Sequence, residues 1–158
     1  MNRNINEDGA LIRIMFVCHG NICRSPLAEF IMKDLLRNRA PALSQNVLIR
    51  SAATSTEELG NPVYPPVRRV MREHGIPFEE RRAVRLAPED YEKYDHFILM
   101  DRNNLRNIRG IFPADPEKKI RLLFPDRDVA DPWFYGNFEQ TYEDILRGCT
   151  ALLEELIR

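Results

Sequence analysis

The residues with most chemical potential lie in one short run, Cys18-His19-Gly20-Asn21-Ile22-Cys23-Arg24-Ser25-Pro26. A strand-like stretch precedes the run and a helix-like stretch follows it, and in open α/β sheets ligands bind where a strand gives way to a helix. Backbone N–H groups of such a loop converge on one point, and the helix N-terminus adds the positive end of its dipole, so the loop can cradle an anion. The segment lacks the Gly-Lys-Ser/Thr of a nucleotide-binding P-loop and the spaced glycines of a dinucleotide fingerprint. What it has instead is a thiol. The groups that would hold an anion would equally stabilise a Cys18 thiolate, making it a nucleophile. Arg24, six residues on, can fold its guanidinium over the loop and grip two phosphate oxygens in a bidentate fork, a geometry unavailable to lysine. Ser25 can hydrogen-bond the sulfur and help it depart when the intermediate breaks down. A bare C-x5-R match also has a bland reading, with Cys18 a small buried residue and Arg24 a surface helix residue. Position at a strand-to-helix junction favours the chemical one.

Positioning these side chains requires a sheet and flanking helices, and the chain alternates short β-branched runs with amphipathic stretches in the pattern of a parallel sheet. Leu11 to Val17 reads as a buried strand and Pro26 to Arg39 as a helix, with Leu27, Ile31 and Leu35 at i+4 and Pro41 as its stop. Val47 to Ala52 is a second strand. The stretch from Thr54 to Pro66 is a loop rich in Gly and Pro. A short helix follows over Val67 to His74, with Gly75 suited to a left-handed C-cap. Pro88 to Tyr94 gives one or two helical turns, His96 to Met100 a third strand, Arg102 to Ile108 a helix and Ile120 to Phe124 a fourth strand. The segment Pro125 to Trp133 contains two prolines with Asp126, Asp128 and Asp131, and reads as a loop. From Phe138 to Leu156 apolar residues keep a 3.6 period and predict a long closing helix.

The 158 residues suit one domain, and 44% hydrophobic with 30% charged residues suits a soluble core with a charged surface. A net charge of -1 gives no bulk attraction to nucleic acid or anionic membrane, so neither is expected as a partner. No apolar run reaches the roughly 20 residues of a membrane helix, and Met1 to Ala10 has no apolar signal-peptide region. Three cysteines argue against a disulfide scaffold and for a reducing, cytoplasmic setting. His19, His74 and His96 form no metal-ligand spacing, so no metal and no cofactor are expected. A general acid for ester cleavage can come from Asp115, Asp126, Asp128 or Asp131, all in predicted loops, and spacing alone does not choose among them.

The run Val17 to Pro26 resembles the active-site loop of the low molecular weight protein tyrosine phosphatases. The likeness extends through Ser51-Ala52-Ala53-Thr54-Ser55 with Gly60, Glu73-His74-Gly75-Ile76, Phe97-Ile98-Leu99-Met100-Asp101 with Asn104-Leu105, and Asp131-Pro132-Trp133. It covers nearly the whole chain from about Leu11, so residues 1–10 are expected to form a flexible extension and residues 11–158 the phosphatase domain. The resemblance implies an α/β three-layer sandwich, a four-stranded parallel sheet with helices on both faces. It implies a monomer that hydrolyses phosphotyrosine in proteins, and small aryl phosphates, through a cysteinyl-phosphate intermediate, releasing inorganic phosphate. Cys18 is then the nucleophile, Arg24 the phosphate clamp and Asp131 the general acid and base, with Asp115-Pro116 as its decoy. His19, Gly20, Asn21, Ile22, Cys23 and Ser25 complete the phosphate-binding loop. Trp133 and Phe134 line the pocket wall, although the one tryptophan can equally be core. Asn21, Ser51 and His74 match positions that brace the loop, while by sequence alone His74 is as readily a helix C-cap. Cys23 matches a second cysteine whose disulfide with Cys18 would guard against over-oxidation.

His19, Glu57 and Phe134 depart from residues frequent in the family and alter the rim of the pocket, so substrate preference follows less directly than chemistry. An arsenate reductase on the same scaffold needs two further cysteines, and past Cys23 there is only Cys149, on the apolar stripe of the last helix. An arginine-phosphate phosphatase of this family would carry threonine at Ile22. A silent phosphotyrosine-binding module would lack Cys18 or Asp131. Because Asp131 must start protonated and Cys18 ionised, turnover is expected to peak at mildly acidic pH.

Overall fold

The structure, a computed structural model, describes residues 11–157. The expected extension over residues 1–10 lies outside the described residues. Four strands, β1 (Ile12–Cys18), β2 (Val47–Ala53), β3 (His96–Leu99) and β4 (Ile120–Leu122), form one sheet in the order β2-β1-β3-β4. All pairings are parallel, with Ile14 of β1 opposite Ile49 on one side and His96 on the other. Strand β1 is therefore central, and it reads as a nearly continuous apolar run because both faces of a parallel sheet are covered.

Ile14, Phe16 and Cys18 face one core, where they meet Leu27 and Ile31 of α1 (Arg24–Arg39). That core also takes Ile145, Cys149 and Leu153 of the closing helix, whose range is given below. Met15 and Val17 face the other core with Phe97, Leu99 and Ile108, under a helix that follows β3. Helices thus lie on both faces, as the resemblance implied. A short turn of helix, α2 (Pro41–Ser44), follows α1 directly; Pro41 ends one helix and, with no N–H to leave unpaired, begins the next.

Helix α3 (Pro65–Glu73) begins at a proline pair and stops in a Schellman motif. The Ile76 N–H donates to Met71 O at 2.8 Å and the Gly75 N–H to Arg72 O at 3.2 Å, with Gly75 at φ +69°. Next come α4 (Asp90–Lys93), α5 (Arg102–Ile108), α6 (Pro132–Tyr135) and α7 (Phe138–Leu156). The turn α6 corrects the reading of its neighbourhood as loop throughout: Pro132 occupies the first helical turn and the Asp131 carboxylate caps it by accepting from Trp133 N at 3.0 Å. Helix α7 packs closely on the sheet end at Gly148, where a Cβ would come 2.5 Å from Leu123 Cγ. Among the described residues no helix is long and apolar enough to cross a membrane.

Candidate active site

Strand β1 ends at Cys18 and α1 starts at Arg24, two residues ahead of the expected Pro26, so the intervening loop is short and tightly curled. Its curl comes from Asn21, which takes a left-handed conformation at φ +60°. Asparagine tolerates this region better than most residues, but the strain persists only where surrounding bonds fix it. Here they do. Asn21 Nδ2 donates to Ser25 Oγ (2.8 Å) and Ser51 Oγ (3.1 Å), and Asn21 Oδ1 accepts from Val84 N (3.1 Å) and Arg81 Nη2 (2.5 Å). The curled backbone directs the Asn21 N–H at Cys18 Sγ, 3.3 Å away, and Ser25 Oγ lies 3.0 Å from the same sulfur.

Behind Asn21 the bonds continue. Ser51 Oγ donates to Glu29 Oε1 at 2.6 Å and accepts from Arg81 Nη1, whose other contact is Glu29 Oε1 at 2.9 Å. Lys33 Nζ reaches Glu29 Oε2 at 2.6 Å. Glu29 and Ser51 are buried, and a buried carboxylate is tolerable because both its oxygens carry charge-assisted bonds.

Arg24 is 2% exposed. Its Nη1 donates to Asp101 Oδ2 and to Val129 O, both at 2.7 Å, and its Nη2 lies 3.5 Å from Asp131 Oδ2. Burial works against the guanidinium charge, but Cys18, Asp101 and Asp131 around it outweigh that and hold its pKa above the ordinary arginine value. Asp101 in turn is fixed as the N-cap of α5: its Oδ1 accepts from Asn104 N at 2.7 Å in a capping box. Burial, aided by the nearby Cys18 and Asp131, pushes the Cys23 thiol far up, so it stays protonated. Cys149 is fully buried on α7 and is pushed up by desolvation, away from the site in the core expected for it.

Cys18, Cys23, Arg24, Asp131 and the side chains of His19, Glu57, Glu58, Trp133 and Phe134 surround one cavity of about 210 Å³, with Gly20 and Ile22 completing the loop wall. Trp133 is half exposed and stands against Tyr64, ring centroids 4.8 Å apart, so it is wall and not core. Phe134 projects into solvent at the mouth. His19, also lining the cavity, pairs through Nε2 with Glu57 Oε2 at 3.0 Å, an exposed contact of small energetic consequence. Among the described residues no three His, Cys, Asp or Glu side chains gather as a metal site.

His74 requires a correction. Its ring stacks on Tyr142 at 3.8 Å and its Nε2 contacts Glu139 Oε1 at 2.5 Å, so it ties α3 to α7 instead of bracing the loop. The reason is the Schellman stop, which leaves His74 as the C-cap of a helix packed on α7. Arg81 makes the contact to Asn21 instead. Sequence reading missed Arg81 and Glu29: Arg81 sits in a stretch with no period, and Glu29 on a helix face otherwise apolar. Asp101 carried a usable signal, an aspartate between a predicted strand and a predicted helix.

Fold and site together define an α/β protein with a cysteine-bearing loop at the carboxyl edge of its sheet. The sequence profile of the family described as low molecular weight phosphotyrosine protein phosphatase matches residues 13–158. A low molecular weight protein-tyrosine-phosphatase, PtpA of Staphylococcus aureus (strain MRSA252), is 32% identical over 152 residues, covering 94% of this chain and 96% of that protein. Among solved structures, YfkJ from Bacillus subtilis has a TM-score of 0.88 at 32% identity, covering 95% of this chain and 97% of that one. SP-PTP, the low molecular weight protein tyrosine phosphatase from Streptococcus pyogenes, has a TM-score of 0.83 at 32% identity, covering 92% and 93%. The chain belongs to the low molecular weight phosphotyrosine protein phosphatase family.

Proposed function

We propose that the protein hydrolyses phosphotyrosine in proteins through a cysteinyl-phosphate intermediate, without metal or cofactor. The observation that carries this reading is the convergence of the Cys18 sulfur, the Arg24 guanidinium and the Asp131 carboxylate on one cavity with an aromatic wall. In the first step the phosphate sits on the loop N–H groups with Arg24 across its oxygens, and Cys18 Sγ attacks phosphorus from the floor. The P–O bond to the phenol breaks and Asp131 gives its proton to the departing oxygen. In the second step Asp131 takes a proton from water, the water oxygen bonds to phosphorus, and the P–S bond breaks to release inorganic phosphate. Ser25 Oγ and the Asn21 N–H, both within bonding reach of Sγ, favour the returning thiolate. The Trp133 and Phe134 side would lie along the substrate ring.

Three cysteines, few and odd in number for a disulfide scaffold, support a reducing, cytoplasmic setting. The exposed aromatic residues Trp133 and Phe134 line the pocket mouth, where a substrate would cover them, which favours action as a monomer. Cys23 lines the same cavity as Cys18 and is the candidate partner for a protective disulfide.

The test is hydrolysis of p-nitrophenyl phosphate in EDTA by wild type and Cys18→Ser, with rapid acid quench to trap phosphoenzyme. Turnover in EDTA that disappears in the variant, with phosphate on Cys18 of the wild type, is the expected result. No turnover by folded, reduced protein sinks the reading.

A further inference from the structure

On the other side of the loop-bracing network lies a second and larger cavity, of about 580 Å³, which shares no lining residue with the first. Its walls carry Lys33, Arg50, Arg81, Arg82 and Arg85. The acids facing it are Glu29, Glu79 and Asp90, leaving an excess of positive charge. Two of those acids are already engaged: Glu29 by Lys33 and Arg81, and Asp90 by the Ala87 N–H at 2.8 Å. The guanidinium groups of Arg50, Arg82 and Arg85 reach only backbone carbonyls, those of Ile49, Gly60 and Thr54, and pair with no carboxylate among the described residues. Three guanidinium forks in no carboxylate pair, around a concave space of small-molecule size with more cations than acids, suit a phosphate ligand.

The cavity also touches the catalytic loop through one side chain. Arg81 lines it and, from the same guanidinium, holds Asn21 Oδ1, Ser51 Oγ and Glu29 Oε1. From Asn21 the bonds pass to Ser25 Oγ and from there to Cys18 Sγ. An anion drawn to Arg81 from the cavity competes with Asn21 and Ser51 for the same N–H donors. Loosening them relaxes the left-handed Asn21 and with it the N–H aimed at the sulfur.

We propose that this cavity is a regulatory site for a small, multiply charged phosphate, bound by Arg50, Arg82 and Arg85 beside Arg81 and coupled through Arg81 and Asn21 to Cys18. The site goes beyond the phosphatase reading, and its binding does not depend on turnover. Inorganic pyrophosphate is the first probe and a nucleoside diphosphate, ADP, the second, since both present the same charged group. Binding is measured by equilibrium dialysis at fixed ionic strength with wild type, Cys18→Ser, and the double variants Arg50→Ala/Arg85→Ala and Arg50→Lys/Arg85→Lys. Arg50 and Arg85 are exposed, so folding is expected to survive, and circular dichroism of each variant checks it.

The expected result is one binding equivalent in addition to any held by the active-site loop, which persists in Cys18→Ser, weakens at least tenfold in the alanine pair, and recovers in part in the lysine pair. The tighter of the two probes identifies the source of the phosphate as inorganic or nucleotide. In kinetics at saturating p-nitrophenyl phosphate, the bound probe should change kcat at least twofold in wild type and leave it unchanged in the alanine pair. Equal binding to wild type and alanine pair, or no binding of either probe, overturns the site. An effect confined to KM overturns the coupling to Cys18, since that is competition in the active-site cavity. Wild-type protein that binds the probes but hydrolyses nothing would remove the phosphatase reading and leave the site standing.

Discussion

Two aspartates in this chain precede proline, Asp115 and Asp131, and the fold uses them in opposite ways. Asp115 Oδ1 accepts from the Tyr91 hydroxyl at 2.5 Å and from Lys119 N at 2.8 Å, and its Oδ2 accepts from Ile120 N at 3.2 Å. Both oxygens are committed to pinning the loop that leads into β4. Partial burial alone would raise its pKa, but the Tyr91 bond, the two backbone N–H groups and Lys119 outweigh it and hold the carboxyl below its ordinary value. Asp131 has one firm donor, the Trp133 N–H, and a looser approach from Arg24 at 3.5 Å. Its Oδ2 therefore keeps free capacity beside the cavity. A carboxylate that must exchange a proton with substrate cannot also be saturated by donors from its own fold. Asp101 stands between the two, one oxygen on a helix cap and the other on Arg24.

The largest effect should come from Asp131→Asn. Asparagine still caps α6, so stability should hold, while kcat for phenyl phosphate should fall about 10²–10⁴-fold with the loss of the proton. The fall should be smaller for p-nitrophenyl phosphate, whose phenolate leaves without help; an equal fall for both esters would contradict the general-acid role. Asp101→Asn should come next. It keeps an oxygen for Asn104 N but removes the anion facing Arg24, and a charge-assisted bond of about 1.5–3 kcal/mol corresponds to roughly 10–100-fold in kcat/KM. Stability read from the urea midpoint should also fall, by about 1.5–3 kcal/mol, because the variant leaves the buried Arg24 without its nearest anion; a loss of stability with kcat/KM unchanged would move Asp101 to the side of Asp115.

Asp115→Asn should do the reverse of Asp131→Asn, leaving kcat within about twofold and lowering stability by about 1–3 kcal/mol, read from urea midpoints. Its sign with pH follows from the lowered pKa. Above the unfolded value, about 3.9, the wild type has the full contribution, and it loses it as pH falls through the folded value, so the variant's deficit should shrink in acid. A deficit independent of pH would mean that packing, not charge, holds the loop. The smallest effect belongs to His96, whose pKa is lowered by burial, with Asp95 opposing. The unfolded chain then binds the proton more readily, so stability should decline as pH drops below about 6.5. His96→Gln should flatten that decline; an unchanged slope would assign it to other groups.

Much of this protein was legible in the residues because it depends on neighbours along the chain. The strand before Cys18, the helix after it, the αL stop at Gly75 and the long apolar period of α7 are all short-range patterns, and the spans match within a few residues. The loop chemistry was legible for the same reason, since Cys18, Asn21, Arg24 and Ser25 are held by one turn of chain. Which loop aspartate stands beside Arg24 and the cavity was not, and neither was Arg81 behind the loop or Asp101 upon Arg24. These depend on which loops the parallel crossovers bring to the same edge of the sheet. Asp128 illustrates the difference: one bond from Arg102 N, at 3.1 Å, engages it in tying its loop to the start of α5. His74 shows the converse: its place before Gly75 pointed to a helix C-cap, which it is, while the brace that the resemblance implied is lost because its helix, packed on α7, turns it toward Tyr142. Periodicity and capping are local free energies that a sequence displays directly. Whether a buried carboxylate or guanidinium is left with capacity for substrate is decided by donors and acceptors far along the chain, and only the packed structure brings those together.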